Sequence, residues 1–180
     1  MPVINGGASQ PGLGKGAPLH SAAIANGTAQ VQTLTPTGTI SSGTFSLTLY
    51  GETTSAIAYN AAASAIVAAL AALKCVGASG VSATGGTIDA TPVLITFGTS
   101  SNGNLWSVTV PLLVVNDINL AGSSPLITPT ISTPAALATH RNAATGALLI
   151  LDDGSSAVKH YINTSQIAGK PTWAVVGSQS

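Results

Sequence analysis

The 180-residue sequence carries very little charge. Asp, Glu, Lys and Arg make up 6% of it, against about a quarter of an average soluble domain. Lys15 is the single charged residue between Met1 and Gly51. A free monomer with so neutral a surface tends to associate, because colloidal repulsion is weak. We therefore expect a component of an assembly, whose surface is packed against other protein or covered by hydroxyl and amide groups.

Basic clusters and long apolar runs are also missing. The net charge is zero and the five Lys and Arg residues are dispersed, whereas a phosphate-binding surface needs clustered cations. No run of about 18 apolar residues is present, so no membrane-spanning helix is expected. The first residues lack a basic start and an apolar core. We therefore expect no nucleic-acid or membrane partner, and cytoplasmic synthesis without a signal peptide.

Residues suited to catalysis or metal binding are sparse. Cys75 is the single cysteine, which excludes an internal disulfide, and Glu52 is the single glutamate. The three histidines are scattered without ligand spacing. Gly12–Gly16 lacks the spacing of a phosphate-binding loop, and Asp152-Asp153 lacks that of a calcium loop. The sequence therefore predicts that the protein is not an enzyme and has no catalytic, metal or cofactor site.

Apolar and polar residues alternate in several segments, which predicts a β-rich main domain over residues 30–122. Phe45, Leu47 and Leu49 alternate with hydroxyl residues, as in a half-buried strand. Strands are predicted at Val31–Leu34, Ile57–Tyr59, Val81–Thr84, Val93–Phe97 and Trp106–Val110, with a turn at Pro36-Thr37-Gly38 and a hairpin loop over Gly98–Asn104.

An alanine-rich segment predicts one helix near residues 61–74, with Asn60 as its N-cap. Ile66, Leu70 and Leu73 recur at helical spacing and form a narrow apolar stripe that must pack on the sheet. The predicted fold class is therefore mainly β, with an α+β main domain in which one helix covers a β-rich sheet or sandwich.

Three further segments flank this domain. Residues 1–29 are rich in Gly, Pro, Ala and Ser without sustained periodicity, which predicts an extended N-terminal arm. Residues 123–134 contain three prolines, a composition typical of a semi-rigid linker. Residues 135–180 contain a β-rich run at Ala147–Leu151, an Asp-Asp-Gly turn, a returning run, and a last strand at Trp173–Val176. They predict a small C-terminal β module.

The segment Gly43–Leu73 resembles a module that recurs in virion proteins of tailed phages and in some large extracellular proteins. The shared pattern is G-T-F-x-L-x-x-x-G-x-T-T-x-x-I-x-Y-N-A, followed by an alanine-rich helix that ends A-x-L. Members of that family continue with a Val-rich strand and a strand ending Thr-Phe, and Val81–Thr84 and Leu94–Phe97 stand in those places here. The run from Gly146 to Gly177 looks like the small β modules that end phage head-fibre and decoration proteins.

This resemblance implies a structural protein at the capsid surface of a tailed phage, synthesised in the host cytoplasm. Such a protein decorates and stabilises the shell by binding across major capsid protein subunits. The implied partners are the major capsid protein and further copies of itself, with a trimer expected by analogy. The alternative is a tail or fibre component whose C-terminal module binds a host receptor or glycan. An aromatic content of 4% disfavours that alternative, since glycan sites favour aromatic residues.

Two sets of contact residues follow as predictions. The capsid contacts are expected in the arm, at Val3, Ile4 and Leu13, with Leu19 and His20 at its base. An exposed recognition patch in the C-terminal module would comprise His140, Arg141, Asp152, Asp153, Lys159, His160 and Tyr161. Ordinary solvated hairpin side chains are the alternative interpretation of that patch, and the one we favour.

Overall fold

The protein folds mainly as β-structure. The computed structural model describes residues 19–21, 26–78, 80–98, 105, 108–140, 143–151, 158–167 and 170–179. The elements in these ranges are β1 (Leu19–Ser21), β2 (Val31–Leu49), β3 (Glu52–Thr53), β4 (Ile57–Ala58), α1 (Ala63–Ala71), β5 (Val81–Thr84), β6 (Val93–Phe97), β7 (Val114–Asn116), β8 (Leu120–Thr133), β9 (Leu148–Leu151), β10 (Val158–Asn163) and β11 (Trp173–Gln179). The predicted fold class, mainly β with one helix, is confirmed.

The chain forms two compact units. The larger unit is Thr28–Ala136, and the smaller unit combines the described residues before it with those from Leu137 onward. Within the described ranges, no helix is long and apolar enough to cross a membrane.

The larger unit is built around β2, which has 19 residues and pairs antiparallel with five other strands. β8 follows one edge of β2 from Val31 to Gly43, and β7 pairs with the same strand near Thr48. β6 and β3 lie on the opposite edge of β2, near its first and last residues. β6 pairs with residues of β2 that also pair with β8, and β3 pairs with Thr48, which also pairs with β7, so each lies on the other side of β2. The half-buried strand predicted around Leu47 is confirmed, with Leu47 fully buried.

The turn predicted at Pro36-Thr37-Gly38 is wrong, because β2 continues through it. The register against β8 shifts between Thr37 and Thr39, so a bulge bends the strand at this point. Gly38 has φ +72°, and a Cβ at this position would overlap the carbonyl oxygen of Ser124. A glycine two residues after a proline fits a turn and a bulge equally well, and the strand pairing decides between them.

The Pro-rich linker predicted at residues 123–134 is also wrong. Most of this segment belongs to β8, which pairs with β2 and buries Ile127. Pro129 fits because an edge strand has one side on which a missing N–H breaks no ladder bond. The main unit therefore reaches Ala136 and does not end at residue 122.

The helix is shorter than the predicted range 61–74, since α1 comprises nine residues. Its N-cap is Ala62 and not Asn60, and no side chain caps it. Ile66 and Leu70 are fully buried where α1 packs against β5 and β4. This part of the predicted apolar stripe is confirmed, and burial on the sheet stabilises a helix too short to persist alone.

β5 and β6 begin and end where the sequence predicts them. A strand from Trp106 to Val110 is not formed over residues 108–110. Trp106 itself and most of the hairpin loop predicted over Gly98–Asn104 lie outside the described residues.

Two buried glutamines hold the irregular segment before β7. Gln30 donates to the Val110 carbonyl oxygen at 2.6 Å and accepts from the Val110 N–H at 3.0 Å. Gln32 donates to the Pro111 carbonyl oxygen at 2.9 Å and accepts from the Leu113 N–H at 2.9 Å. Each amide group therefore bonds the backbone as a neighbouring strand would, and satisfies polar groups that burial would otherwise leave unpaired.

The smaller unit is a four-stranded sheet in the order β1-β9-β10-β11. β9 and β10 are antiparallel, as the sequence predicts. The turn predicted at Asp152-Asp153 lies outside the described residues. β1 pairs in parallel with β9, with Leu19 opposite Leu149. The predicted arm, residues 1–29, therefore includes a strand of the C-terminal module, and its first 18 residues lie outside the described ranges.

We predict that Gln32→Leu lowers the free energy of unfolding by about 1–3 kcal/mol, because the buried Leu113 N–H and the partly buried Pro111 carbonyl oxygen lose their partner. Urea unfolding followed by circular dichroism measures this change. The matched control is Gln166→Leu at an exposed position, where a change within about 0.5 kcal/mol is expected. Equal urea midpoints for the two variants would contradict the role given to Gln32.

Candidate functional site

One face of the sheet formed by β5, β6, β2 and β8 carries hydroxyl and small aliphatic side chains. Its residues alternate with core residues such as Leu34 and Ile95, which are fully buried on the other face. The register of the four strands places Thr84, Leu94, Thr33 and Thr130 in one row, and Ser82, Thr96, Val31 and Thr133 in the next. We call these eight residues the hydroxyl face.

The hydroxyl face contains no charged side chain. Thr33 donates its hydroxyl to Ser132 Oγ at 3.0 Å, and Ser132 donates to the Val31 carbonyl oxygen at 3.2 Å. Leu94 is 41% exposed at the centre of the face. Covering such a face with protein desolvates no charge, and rotatable hydroxyls can find new partners across an interface. The arrangement is suited to protein contact.

Exposed apolar side chains also lie near the other end of β2. Val114 of β7 is opposite Thr48 and is 62% exposed, and Ile118 in the following turn is 83% exposed. Tyr50, directly after β2, is half exposed. Clusters of exposed apolar side chains are typical of contact surfaces.

The five predicted capsid contacts are only partly described. Val3, Ile4 and Leu13 lie outside the described residues. Leu19 and His20 belong to β1, where they pair with β9 of the smaller sheet. These two residues are therefore part of a sheet edge, and their role as capsid contacts stays a prediction.

The structure brings together only some residues of the predicted recognition patch. Arg141, Asp152 and Asp153 lie outside the described residues. His140 adopts φ +46° in the segment before β9.

Three members of this patch are consecutive on β10, between β9 and β11. Lys159 is exposed, whereas His160 and Tyr161 are half-buried. Because neighbouring strand residues point to opposite faces, His160 points away from the other two. These three side chains therefore do not share one surface.

Cys75, which follows α1, lies beside Glu52 of β3. The Cys75 N–H donates to Glu52 Oε2 at 3.3 Å, and its thiol contacts the Leu49 carbonyl oxygen at 3.7 Å. Burial raises the pKa of the Cys75 thiol, and the negative charge of Glu52 raises it further. Since the thiolate is the nucleophile, this environment makes Cys75 less reactive. Among the described residues, no group of three or more His, Cys, Asp and Glu could hold a metal ion.

Sequence reasoning missed the hydroxyl face. Alternate threonines are visible in both strands, at Thr33 and Thr35 and again at Thr128 and Thr130. Their pairing is not visible, because the two segments are far apart in the chain. Thr33 and its partner Ser132 are separated by 99 positions.

Comparison with solved structures gives a distant likeness to a phage protein. No protein-family model and no curated protein matches the chain. A solved structure from Mycobacterium phage Patience is similar with a TM-score of 0.37 and 16% sequence identity. The alignment covers 83% of this chain and 55% of that one. This chain thus spans about half the length of the phage chain that it resembles.

Proposed function

We propose that the protein is a structural component of a tailed-phage virion that decorates the capsid and stabilises it by binding across major capsid protein subunits. The observation that carries this proposal is the uncharged hydroxyl face, which spans four strands. It belongs to a unit whose charged residues number four: Glu52, Lys74, Asp89 and Asp117. The centres of protein interfaces are likewise depleted in charge.

An uncharged face of this kind suits a protein that binds many copies of one partner. Its threonine methyl groups and Leu94 offer apolar area, and burial of apolar area contributes about 25 cal/mol per Å². Any ligand that binds only the assembled state stabilises that state by mass action. A subunit bridging two capsid proteins therefore favours the closed shell without any chemical step.

The sequence resemblance of Gly43–Leu73 supports the same proposal. In the fold, this segment forms the end of β2, the short strands β3 and β4, and α1. Phe45, Ile57 and Ile66 place it in the core, so the resemblance concerns a scaffold that virion proteins share. Five of the ten charged residues lie between Arg141 and Lys170, and we assign the outward-facing role to this more soluble segment.

In this proposal the partners are the major capsid protein and further copies of the chain, as a symmetric oligomer. No catalytic step or cofactor is needed, because binding alone stabilises the shell. The tail or fibre alternative would give the binding role to the smaller unit. In that unit, Lys159 and His160 face opposite sides of the sheet and so do not form one polar recognition patch.

We predict that the double variant Leu94→Glu/Thr130→Glu loses at least about tenfold in affinity for shells. Binding would bury two carboxylates that have no partner in the interface. Both side chains are exposed, so folding should be retained. Cosedimentation with purified shells that lack the protein measures the affinity. Ala68→Glu, at an exposed position of α1, is the matched control and should bind like the wild type. Wild-type binding by the double variant would contradict the role of the hydroxyl face.

The contribution of the N-terminal segment is tested by deleting residues 2–18, which stops short of β1. We predict weaker shell attachment, because the deletion removes Val3, Ile4 and Leu13. The circular dichroism spectrum and the urea midpoint should stay unchanged, since β1 still pairs with β9. Full occupancy of shells by the truncated protein would show that these three residues are not contacts.

A further inference from the structure

The outer edge of β8 could pair with a strand of another chain, and the low charge of this protein leaves that edge without the usual protection. Among the described strands, β2 is the single one that pairs with β8. The backbone groups on the other edge of β8 therefore point to where another extended chain could pair with them. Natural proteins commonly protect such edges with charged side chains, above all lysine. The 14 residues of β8 include no charged residue.

Two devices remove outward donors along the middle of this edge. In an antiparallel strand, the backbone groups of successive residues point alternately to the two sides. The Ile127 N–H donates to Asp117 Oδ2 at 3.0 Å, which shows that it points away from β2. Pro129, two residues further along, points the same way and has no N–H. The pairing on the other side of β2 agrees. The Phe97 N–H donates to the Gln30 carbonyl oxygen at 3.0 Å, so Gln30 directs its backbone groups to β6. Leu34, four residues later and opposite Pro129, directs its own the same way and makes no ladder bond to β8.

The opposite edge of this two-stranded ribbon carries the same device. β6 pairs with β2 as far as Leu34, opposite Val93. Pro36 comes two residues later on β2, so its nitrogen points to the side that β6 has just vacated. A proline there presents no donor at the first unpaired position.

We propose that Asp117, Pro129 and Pro36 protect the edges of the β2–β8 ribbon against strand addition by another chain. Asp117 is held in the turn before β8, where its carbonyl oxygen accepts from the Leu120 N–H at 2.9 Å. Its carboxylate accepts from the Ile127 N–H and so occupies that outward donor. An incoming strand must displace that carboxylate and then meets a proline. Three residues thus replace the row of lysines that a charge-rich protein would use.

The test compares Asp117→Ala, Pro129→Val and the double variant by size-exclusion chromatography with light scattering, over about 1–100 μM protein. The wild type should keep one assembly state over this range. The double variant should shift most of the protein into larger species, with a new infrared band of intermolecular β-structure. Pro129→Val adds an outward N–H and removes no hydrogen bond, so it should also form larger species. If Asp117→Ala does not fold, the result for Pro129→Val alone decides between the outcomes.

Two controls separate edge protection from simple destabilisation. Asp117→Asn retains an oxygen acceptor for the Ile127 N–H and should stay in the wild-type state. Thr54→Val removes a comparable bond, from the Leu47 N–H to Thr54 Oγ1 at 3.1 Å, and leaves the β8 edge untouched. Larger species formed equally by Thr54→Val would overturn the proposal. The proposal would also be overturned if Pro129→Val kept the wild-type size and if Asp117→Ala and the double variant, where they fold, kept it too.

Discussion

The pairing of β2 with β8 is the interaction on which the larger unit depends. It joins the two ends of that unit, where Thr28 and Ala136 form an isolated bridge, and it sets which side chains reach the hydroxyl face. A slip of one residue would turn every buried side chain outward. Bulges oppose such a slip, and Gly38 and Gly122 occupy positions where a Cβ would overlap the partner backbone. The segments before and after this unit together form the smaller unit, so in the sequence the larger unit is inserted between β1 and β9. Its adjacent ends allow this.

Low charge gives the protein an advantage at one surface and a hazard at another. A sheet face without charge is suited to contact with a shell, because no ion has to be desolvated. The same composition leaves edge strands without their usual electrostatic protection. Proline and a single carboxylate fulfil that requirement here, since Pro129 has no donor and Asp117 occupies that of Ile127. In this proposal the face binds a partner, while Asp117 and Pro129 block strand addition along the middle of the β8 edge.

Sequence patterns predict the elements that local periodicity determines, and miss those that depend on distant pairing. β5, β6 and the stripe around Ile66 and Leu70 follow from alternation and helical spacing. The prolines at positions 125, 129 and 134 predict a linker over residues 123–134, whereas an edge strand such as β8 tolerates proline. β1 has three residues and is a strand only because β9 is beside it. The hydroxyl face needs four strands in register, and the sequence shows only its threonines.

The central claim is that the protein decorates a capsid, and its number and position on virions test this most directly. Quantitative mass spectrometry of purified particles, with antibody labelling seen by electron microscopy, gives both. The account predicts copies in the hundreds, distributed over the head as a subunit bound at each symmetry-related shell position requires. About six copies or fewer, confined to the tail, would contradict it.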